Sequence, residues 1–135
     1  MNIRLLSTGF SSADANMAID EAVLEAIAEN ASPTTLRLYG WTPPAVSVGY
    51  FQSLEEEVDL AACKGFGIDV VRRITGGGAV LHDKEITYSI HLPENAGLSS
   101  GEYPAKRAGF VPMGILESYE KICEGILKGL AEFGL

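Results

Sequence analysis

Positive charge is scarce in this sequence: Lys and Arg total 10 against 18 Asp and Glu, a formal net charge of −8. Nucleic-acid binders neutralise phosphates with clustered Lys and Arg, so nucleic acid is excluded as a partner. No Lys or Arg stands between Arg4 and Arg37, the stretch that holds Asp14, Asp20, Glu21, Glu25 and Glu29. A second acidic cluster is Glu55, Glu56, Glu57 and Asp59. Cysteine is almost missing too. Cys63 and Cys123 make neither a Cys-x-x-Cys motif nor a zinc-ligand spacing, and both lie among apolar neighbours where a free thiol acts as a small hydrophobe. That excludes a disulfide framework and gives no metal site. No apolar run nears the roughly 20 residues that span a bilayer, and no charged segment, apolar core and cleavage site open the chain. The expectation is a cytoplasmic protein with no membrane partner.

What is present is ample for a core. Hydrophobic residues make up 47% of the chain, including five Phe and five Tyr. A chain of 135 residues fits one domain that buries roughly two-thirds of its unfolded surface. Residues 2–6 read as a first strand. Ser11, Ser12 or Asp14 can cap a helix to about Asn30, with Met17, Val23, Leu24 and Ile27 inward and Asp14 and Asp20 favouring the positive end of its dipole. Residues 34–39 and 45–51 each alternate at period two around the Gly40–Pro44 turn, which predicts an antiparallel pair. Arg37, between Leu36 and Leu38, reads as a solvated strand face. Ser53 with Glu56 predicts a capped helix to about Lys64, stopped by Gly65 and Gly67. Residues 68–74, 79–83 and 86–92 read as further strands, the last two around a turn near Asp83–Lys84. From Pro93 to Pro112 no period emerges, which predicts a long loop. A final helix is expected from about Met113 to Phe133, with Ile115, Tyr119, Ile122, Ile126, Leu130 and Phe133 forming an apolar stripe and Gly134 capping it. Strands joined by short turns with few intervening helices predict the α+β class, a mixed and largely antiparallel sheet with packed helices.

The chemistry concentrates in Arg72-Arg73-Ile74-Thr75-Gly76-Gly77-Gly78-Ala79-Val80-Leu81-His82-Asp83. Three consecutive glycines after a strand let backbone amides converge on one concavity and let a ligand approach the main chain. Arg73 offers a fork of donors for a carboxylate or phosphate, and Thr75 a hydroxyl. A small anionic ligand suits this one basic spot on an acidic protein. The run is not a phosphate loop of the Gly-Lys-Ser/Thr kind, nor does it have the Gly-x-Gly-x-x-Gly spacing of a dinucleotide site. A bare glycine triplet fits a flexible hairpin better than a ligand loop, and His82 fits a core histidine as well as a ligand contact. His91 sits at a strand position with no functional role assigned.

Together, these residues resemble the signature of the biotin/lipoate protein-ligase family, in which Arg-Arg-x-Thr/Ser-Gly-Gly-Gly-x-Val-x-His-Asp is distinctive. Asn16–Ala22 resembles the family's first helix; Leu36–Trp41 and Val46–Gln52 resemble its next two strands. Glu55–Leu60, Ile68–Arg73 and Ile126–Leu135 fit as well. The resemblance implies a biotin/lipoate-ligase-like fold and attachment of lipoate or octanoate to a lysine of a lipoyl carrier domain, in a 2-oxoacid dehydrogenase E2 or a glycine-cleavage H protein. It assigns Arg73, Thr75, Gly76, Gly77, Gly78 and His82 to the carboxyl or adenylate end of the substrate, with Tyr39, Gly49, Tyr50 and Phe51 lining an acyl slot. Two branches are implied. Octanoyltransferases take the acyl group from an acyl carrier protein through a cysteine thioester; lipoate–protein ligases use ATP with Mg²⁺ and form an adenylate. The run His82-Asp83-Lys84-Glu85-Ile86-Thr87-Tyr88-Ser89 looks more like the transferases. The resemblance puts the family's essential lysine and the transferases' cysteine beyond residue 135, so no catalytic residue is assigned here. The expectation is therefore the N-terminal part of a single catalytic domain, truncated or served by a complementary C-terminal chain, and inactive alone. An acyl-binding subunit or regulatory module without chemistry is the non-enzymatic alternative.

Overall fold

The computed structural model describes residues 3–92 and 115–134. The chain divides into two compact units, residues 1–91 and 92–135. In the first, β1 (Arg4–Ser11) is followed by α1 (Ala13–Ala28), β2 (Thr35–Trp41), β3 (Ala45–Val48), α2 (Leu54–Glu57), α3 (Leu60–Phe66), β4 (Asp69–Arg72), β5 (Val80–His82) and β6 (Thr87–His91). The second unit contributes α4 (Ile115–Glu132), and Gly134 follows it with a left-handed φ of 78°. The expected 93–112 loop and the helix start at Met113 lie outside the described residues. Among the described residues no helix is long and apolar enough to cross a membrane.

The class is α+β with mixed sheets, as the pattern predicts, and the strands form two small sheets. One has the order β1-β2-β6, with β1 parallel and β6 antiparallel to β2. The other has the order β4-β3-β5, with β4 parallel and β5 antiparallel to β3. Parallel pairing thus takes a larger share than the short turns suggest. The expected β2–β3 antiparallel pair does not form. Both edges of β2 are taken by β1 and β6, and the chain crosses at Thr42–Pro44 into the second sheet: the Thr42 amide still bonds Ser11, while the Pro44 carbonyl already accepts from Asp69. Alternation identifies a strand but does not name its neighbour.

Ser12 caps α1 by accepting from the Ala15 amide at 3.4 Å, and Asn30, at φ 58°, turns the chain after its end. The buried face of the helix is Ala13, Asn16, Asp20, Val23 and Ile27, at steps of three and four. Leu24, expected inside, lies one position off that stripe and is 41% exposed. Asp20, expected to serve the helix dipole, does something else: it faces β2. There the alternation holds but its phase is inverted. Thr35, Arg37, Tyr39 and Trp41 are buried, and Leu36 and Leu38 are the half-buried face. Arg37, expected in solvent, has 0% exposure.

That burial is possible because α1 brings acceptors. Arg37 Nη1 donates to Asp20 Oδ1 at 2.8 Å and to the Asn16 carbonyl at 2.9 Å. Nη2 donates to Asn16 Oδ1 at 2.7 Å, and Nε to Thr8 Oγ1 at 3.0 Å. The guanidinium lies 3.9 Å from the Tyr39 ring centroid. Asp20 Oδ1 also accepts from Ser89 at 2.8 Å and faces His91 Nε2 at 3.4 Å, while Oδ2 accepts from the Tyr39 hydroxyl at 3.0 Å. Burial and the neighbouring Asp20 charge push the Tyr39 phenol above the ordinary tyrosine range, so it stays a donor. A cluster of Ala13, Tyr39, Trp41 and Ala45, with Met17 and Val71 against it, fills the adjoining core.

The expected helix from Ser53 to Lys64 is two short ones. Ser53 makes no side-chain cap bond; Asp59 instead accepts from the Ala62 amide at 2.9 Å and starts α3 afresh. Gly67, at φ 67°, ends α3 as expected, whereas Gly65, also expected to stop it, lies inside the helix.

Removing Asp20 would leave the Arg37 charge buried without its carboxylate. Asp20→Ala is expected to lower unfolding free energy by about 3–5 kcal/mol in urea titrations. The Asp20 carboxyl is held below its ordinary 3.8: burial raises it, but hydrogen bonds from His91, Arg37 and Ser89 and the Arg37 charge lower it further. A carboxyl depressed in the folded state binds its proton less readily there than in the unfolded chain. Its stabilisation is therefore complete above the unfolded value and lost as pH falls through the lower folded one. Unfolding titrations below pH 3.8 should show that decline in the wild type and a shallower one in Asp20→Asn.

Candidate functional site

The glycine run leaves β4 at Arg72, with the Arg73 amide still bonded to the Val48 carbonyl at 3.0 Å. Arg73 then turns back on its own loop. Its Nη2 donates to the carbonyls of Gly76 and Gly78, each at 2.8 Å, and its Nη1 to the Ser47 carbonyl at 3.0 Å and Ser47 Oγ at 3.2 Å. Nη2 thus shapes the loop while Nη1 is tied to β3, so neither stands free as a fork for a ligand. With two loop carbonyls drawn onto the guanidinium, the amides of Gly76, Gly77 and Gly78 have no hydrogen-bond partner among the described residues. Gly77 needs its glycine: φ is +96°. Open space faces the α-carbons of Gly76 and Gly78.

The neighbouring turn is built the same way. Arg72 Nη1 gathers the carbonyls of Gly49, Tyr50 and Gln52 at 2.9, 3.0 and 2.8 Å, and Gln52 Oε1 accepts from the Gly49 amide at 2.8 Å. The Tyr50 amide bonds the Thr75 carbonyl at 2.9 Å, joining this turn to the glycine loop. A β-carbon at Gly49 would collide with the Gly77 carbonyl oxygen, so only glycine lets the two segments close. Tyr50 and the 89% exposed Phe51 pack edge to face, ring centroids 5.0 Å apart, beside the loop. Thr75 is exposed.

His82 returns on β5 and is buried. Its Nε2 lies 2.8 Å from Ser47 Oγ and its Nδ1 2.6 Å from Glu85 Oε1. Its ring stacks on Trp41, centroids 4.2 Å apart at 14°. Thr87 Oγ1 donates to Glu85 Oε1 at 2.9 Å and accepts from Trp41 Nε1 at 2.7 Å. Glu85 stays ionised: burial raises its pKa, but hydrogen bonds from His82 and Thr87 bring it below the ordinary value. Serine, histidine and glutamate in this order resemble a nucleophile triad. Ser47, however, is 2% exposed and engaged by Arg73, so it holds structure together and is not presented to a substrate.

Of the residues singled out in the sequence, Arg73, Gly49, Tyr50, Thr75, Gly76, Gly77 and Gly78 are brought together, with His82 two hydrogen bonds behind Arg73 through Ser47. Tyr39 is not among them. It is buried with its hydroxyl on Asp20. Ser47, Trp41, Glu85 and Thr87 carry roles the sequence did not reveal. The available signals were a lone hydroxyl between Val46 and Val48 and a carboxylate three residues after His82. Cys63, half-buried on α3, lines a shallow groove with Pro43, Leu60 and Lys64 that includes no glycine-loop residue; Cys123 is exposed on α4. No cluster of three or more metal-ligating side chains occurs among the described residues.

Comparison with known proteins converges on one family. The model for the lipoyl protein ligase A/B catalytic domain matches residues 12–135. An octanoyltransferase LipM of Moorella thermoacetica is 47% identical over 97% of this chain and 44% of its own length; the one from Kyrpidia tusciae is 48% identical over 97% and 43%. The chain thus spans less than half the length of these relatives. Among solved structures, a bipartite lipoate protein ligase from Thermoplasma acidophilum, described with its E2 lipoyl domain, is 39% identical with a TM-score of 0.53. It covers 67% of this chain and 35% of that one. Plasmodium falciparum LipL1, in complex with lipoate, shares the fold at a TM-score of 0.60 with 24% identity, covering 70% of this chain and 31% of its own. The chain belongs to the lipoyl protein ligase A/B catalytic-domain family.

Proposed function

We propose that this chain takes part in protein lipoylation, supplying the half-site that holds the carboxyl or activated-acyl end of an octanoyl or lipoyl group on its way to a carrier-domain lysine. The observation that carries this reading is the glycine loop itself. Arg73 pulls the loop carbonyls inward, three amides are left without partners among the described residues, and Tyr50 and Phe51 stand alongside as an apolar wall. Unpartnered amides beside a fixed positive charge suit an acyl carboxylate, a thioester oxygen or an adenylate phosphate. The exposed aromatics suit the alkyl chain.

The transferase branch has the better support. Relatives that align with nearly the whole chain are octanoyltransferases, and the Glu85-Ile86-Thr87-Tyr88-Ser89 run that follows the loop is of that kind. The donor would then be an octanoylated acyl carrier protein, and the acceptor a lipoyl domain of an E2 or H protein. The ligase reading is supported by the archaeal ligase at 39% identity and would use ATP with Mg²⁺. In both readings residues 1–135 form the N-terminal part of one catalytic domain, working in the cytoplasm. The nucleophile and essential lysine come from other polypeptide, continuous with this chain or supplied as a complementary one. A non-catalytic acyl-binding subunit would share the same half-site.

Calorimetric titration of the purified chain with a non-hydrolysable lipoyl-adenylate analogue and with octanoate tests the half-site. Binding is expected, and Arg73→Ala should weaken it by about 1.5–3 kcal/mol through loss of loop shape and charge. Gly49→Ala should abolish it as the new methyl displaces Gly77, with the β1-β2-β6 sheet still folded by circular dichroism. An affinity unchanged in both variants would remove the loop from the site. No acylation of a lipoyl domain is expected from the purified chain alone, and mass-spectrometric detection of acylated carrier would overturn the half-site reading. When activity is completed by the missing segment, octanoylated acyl carrier protein should support transfer. Activity only with ATP and free acid would instead select the ligase branch.

A further inference from the structure

The polar chain behind the glycine loop has its proton positions dictated by the groups at its ends. Arg73 and the Trp41 indole can only donate, and the ionised Glu85 can only accept. Glu85 therefore takes the Nδ1 proton of His82, and in the neutral imidazole Nε2 is then an acceptor, so Ser47 Oγ, which accepts from Arg73, gives its single proton to His82 Nε2, 2.8 Å away. His82, accepting at Nε2, carries its proton on Nδ1 and donates it to Glu85 Oε1 at 2.6 Å. From the other side Trp41 donates to Thr87, and Thr87 donates to the same Glu85 oxygen. The bonds run in one direction from each end, Arg73 to Ser47 to His82 and Trp41 to Thr87, and both terminate on Glu85. The Trp41–His82 stack closes the circuit. It links β2 and β6 of one sheet to β3 and β5 of the other.

We propose that Glu85 and Ser47 are positioning residues for the glycine loop. Glu85 holds His82 in the Nδ1–H tautomer, which turns the Ser47 lone pair toward Arg73 and so fixes the guanidinium under the carbonyls of Gly76 and Gly78. This rests on the reading of that loop as the acyl-end half-site. Without the Glu85 oxygen the imidazole is free to carry its proton on Nε2. Ser47 would then accept from the ring, its oxygen would be shared between two donors, and the grip on Arg73 Nη1 would loosen. Three glycines in a row have almost no conformational preference of their own, so the loop keeps one shape only as well as Arg73 is held.

The test uses the full chain, without ligand, and two spectroscopic readouts. Long-range proton–nitrogen spectra report the neutral His82 tautomer, and nitrogen relaxation reports the order of the Gly76, Gly77 and Gly78 amides. In the wild type the Nδ1–H form and rigid amides, with order parameters about 0.85, are expected. Glu85→Ala should populate the Nε2–H form and drop the three loop amides below about 0.6, leaving the β1-β2-β6 amides rigid. Ser47→Ala should loosen the same three amides while His82 keeps its Nδ1 proton. Glu85→Gln, which retains an acceptor oxygen, should restore both readouts. Loop amides as ordered in Ser47→Ala as in wild type would overturn the proposal. So would a loss of order spread equally over both sheets, since that marks a general stabilising role. Should Glu85→Ala not fold, Ser47→Ala decides by the same criteria. Both readouts are taken before any ligand is added. Absence of binding by the wild type would therefore sink the half-site reading alone, whereas unchanged loop order in the variants would sink only the relay.

Discussion

A fully buried arginine organises this protein. Desolvating a guanidinium is costly, and the structure around Arg37 is the set of groups that makes it tolerable. The Asp20 carboxylate, two oxygens of Asn16 and the Thr8 hydroxyl accept from it, and the Tyr39 ring lies against it. Those groups sit on β1, α1 and β2, and Asp20 reaches further to Ser89 and His91 on β6. One ion pair thus sets the rotation of the helix and the facing of three strands. A helix turned by one residue would bring Leu24 toward the sheet and strand the arginine. A strand slipped by one would put Leu36 where Arg37 finds its partners.

The consequences extend to the glycine loop. With Arg37 and Tyr39 inward, period two places Trp41 inward as well, at the end of β2. There it stacks on His82 and donates to Thr87, so the face of β2 that meets α1 also supports the back of the candidate site. The loop is then shaped by two adjacent arginines that work on backbone carbonyls. A planar fork of donors matches converging carbonyl oxygens as well as it matches a carboxylate, which is why Arg72 gathers three and Arg73 three more. Carbonyls drawn onto the guanidinium leave the Gly76, Gly77 and Gly78 amides without a hydrogen-bond partner among the described residues, with a positive charge beside them in an otherwise acidic chain.

Much of the architecture was legible along the chain. Residue spacing located α1, β2, β3, β4, β5, β6 and α4, and Ser12 and Gly67 act as the cap and stop that their types suggest. The candidate site was marked in the sequence by Arg-Arg-x-Thr-Gly-Gly-Gly through its resemblance to a family signature. Errors arose where a residue's partner lies far away in sequence. Arg37 was expected in water because its neighbours are leucines; its acceptors are some twenty positions earlier. Tyr39, assigned to an acyl slot by resemblance, is buried with its hydroxyl on Asp20. The helix expected over Ser53–Lys64 is interrupted because Asp59 is the stronger local cap, a competition between two neighbouring signals that spacing does not rank.

The sequence by itself determined the elements, the family resemblance and the presence of a glycine loop beside an arginine, since each depends on local periodicity or on residue types close together in the chain. Only the tertiary structure decided which face of β2 is buried, which strands are neighbours, and that Arg73 holds the loop from behind through Ser47, His82 and Glu85. Those outcomes depend on where distant acceptors arrive. A charge takes its place from the partners that reach it in three dimensions, and hydrophobic alternation carries no information about them.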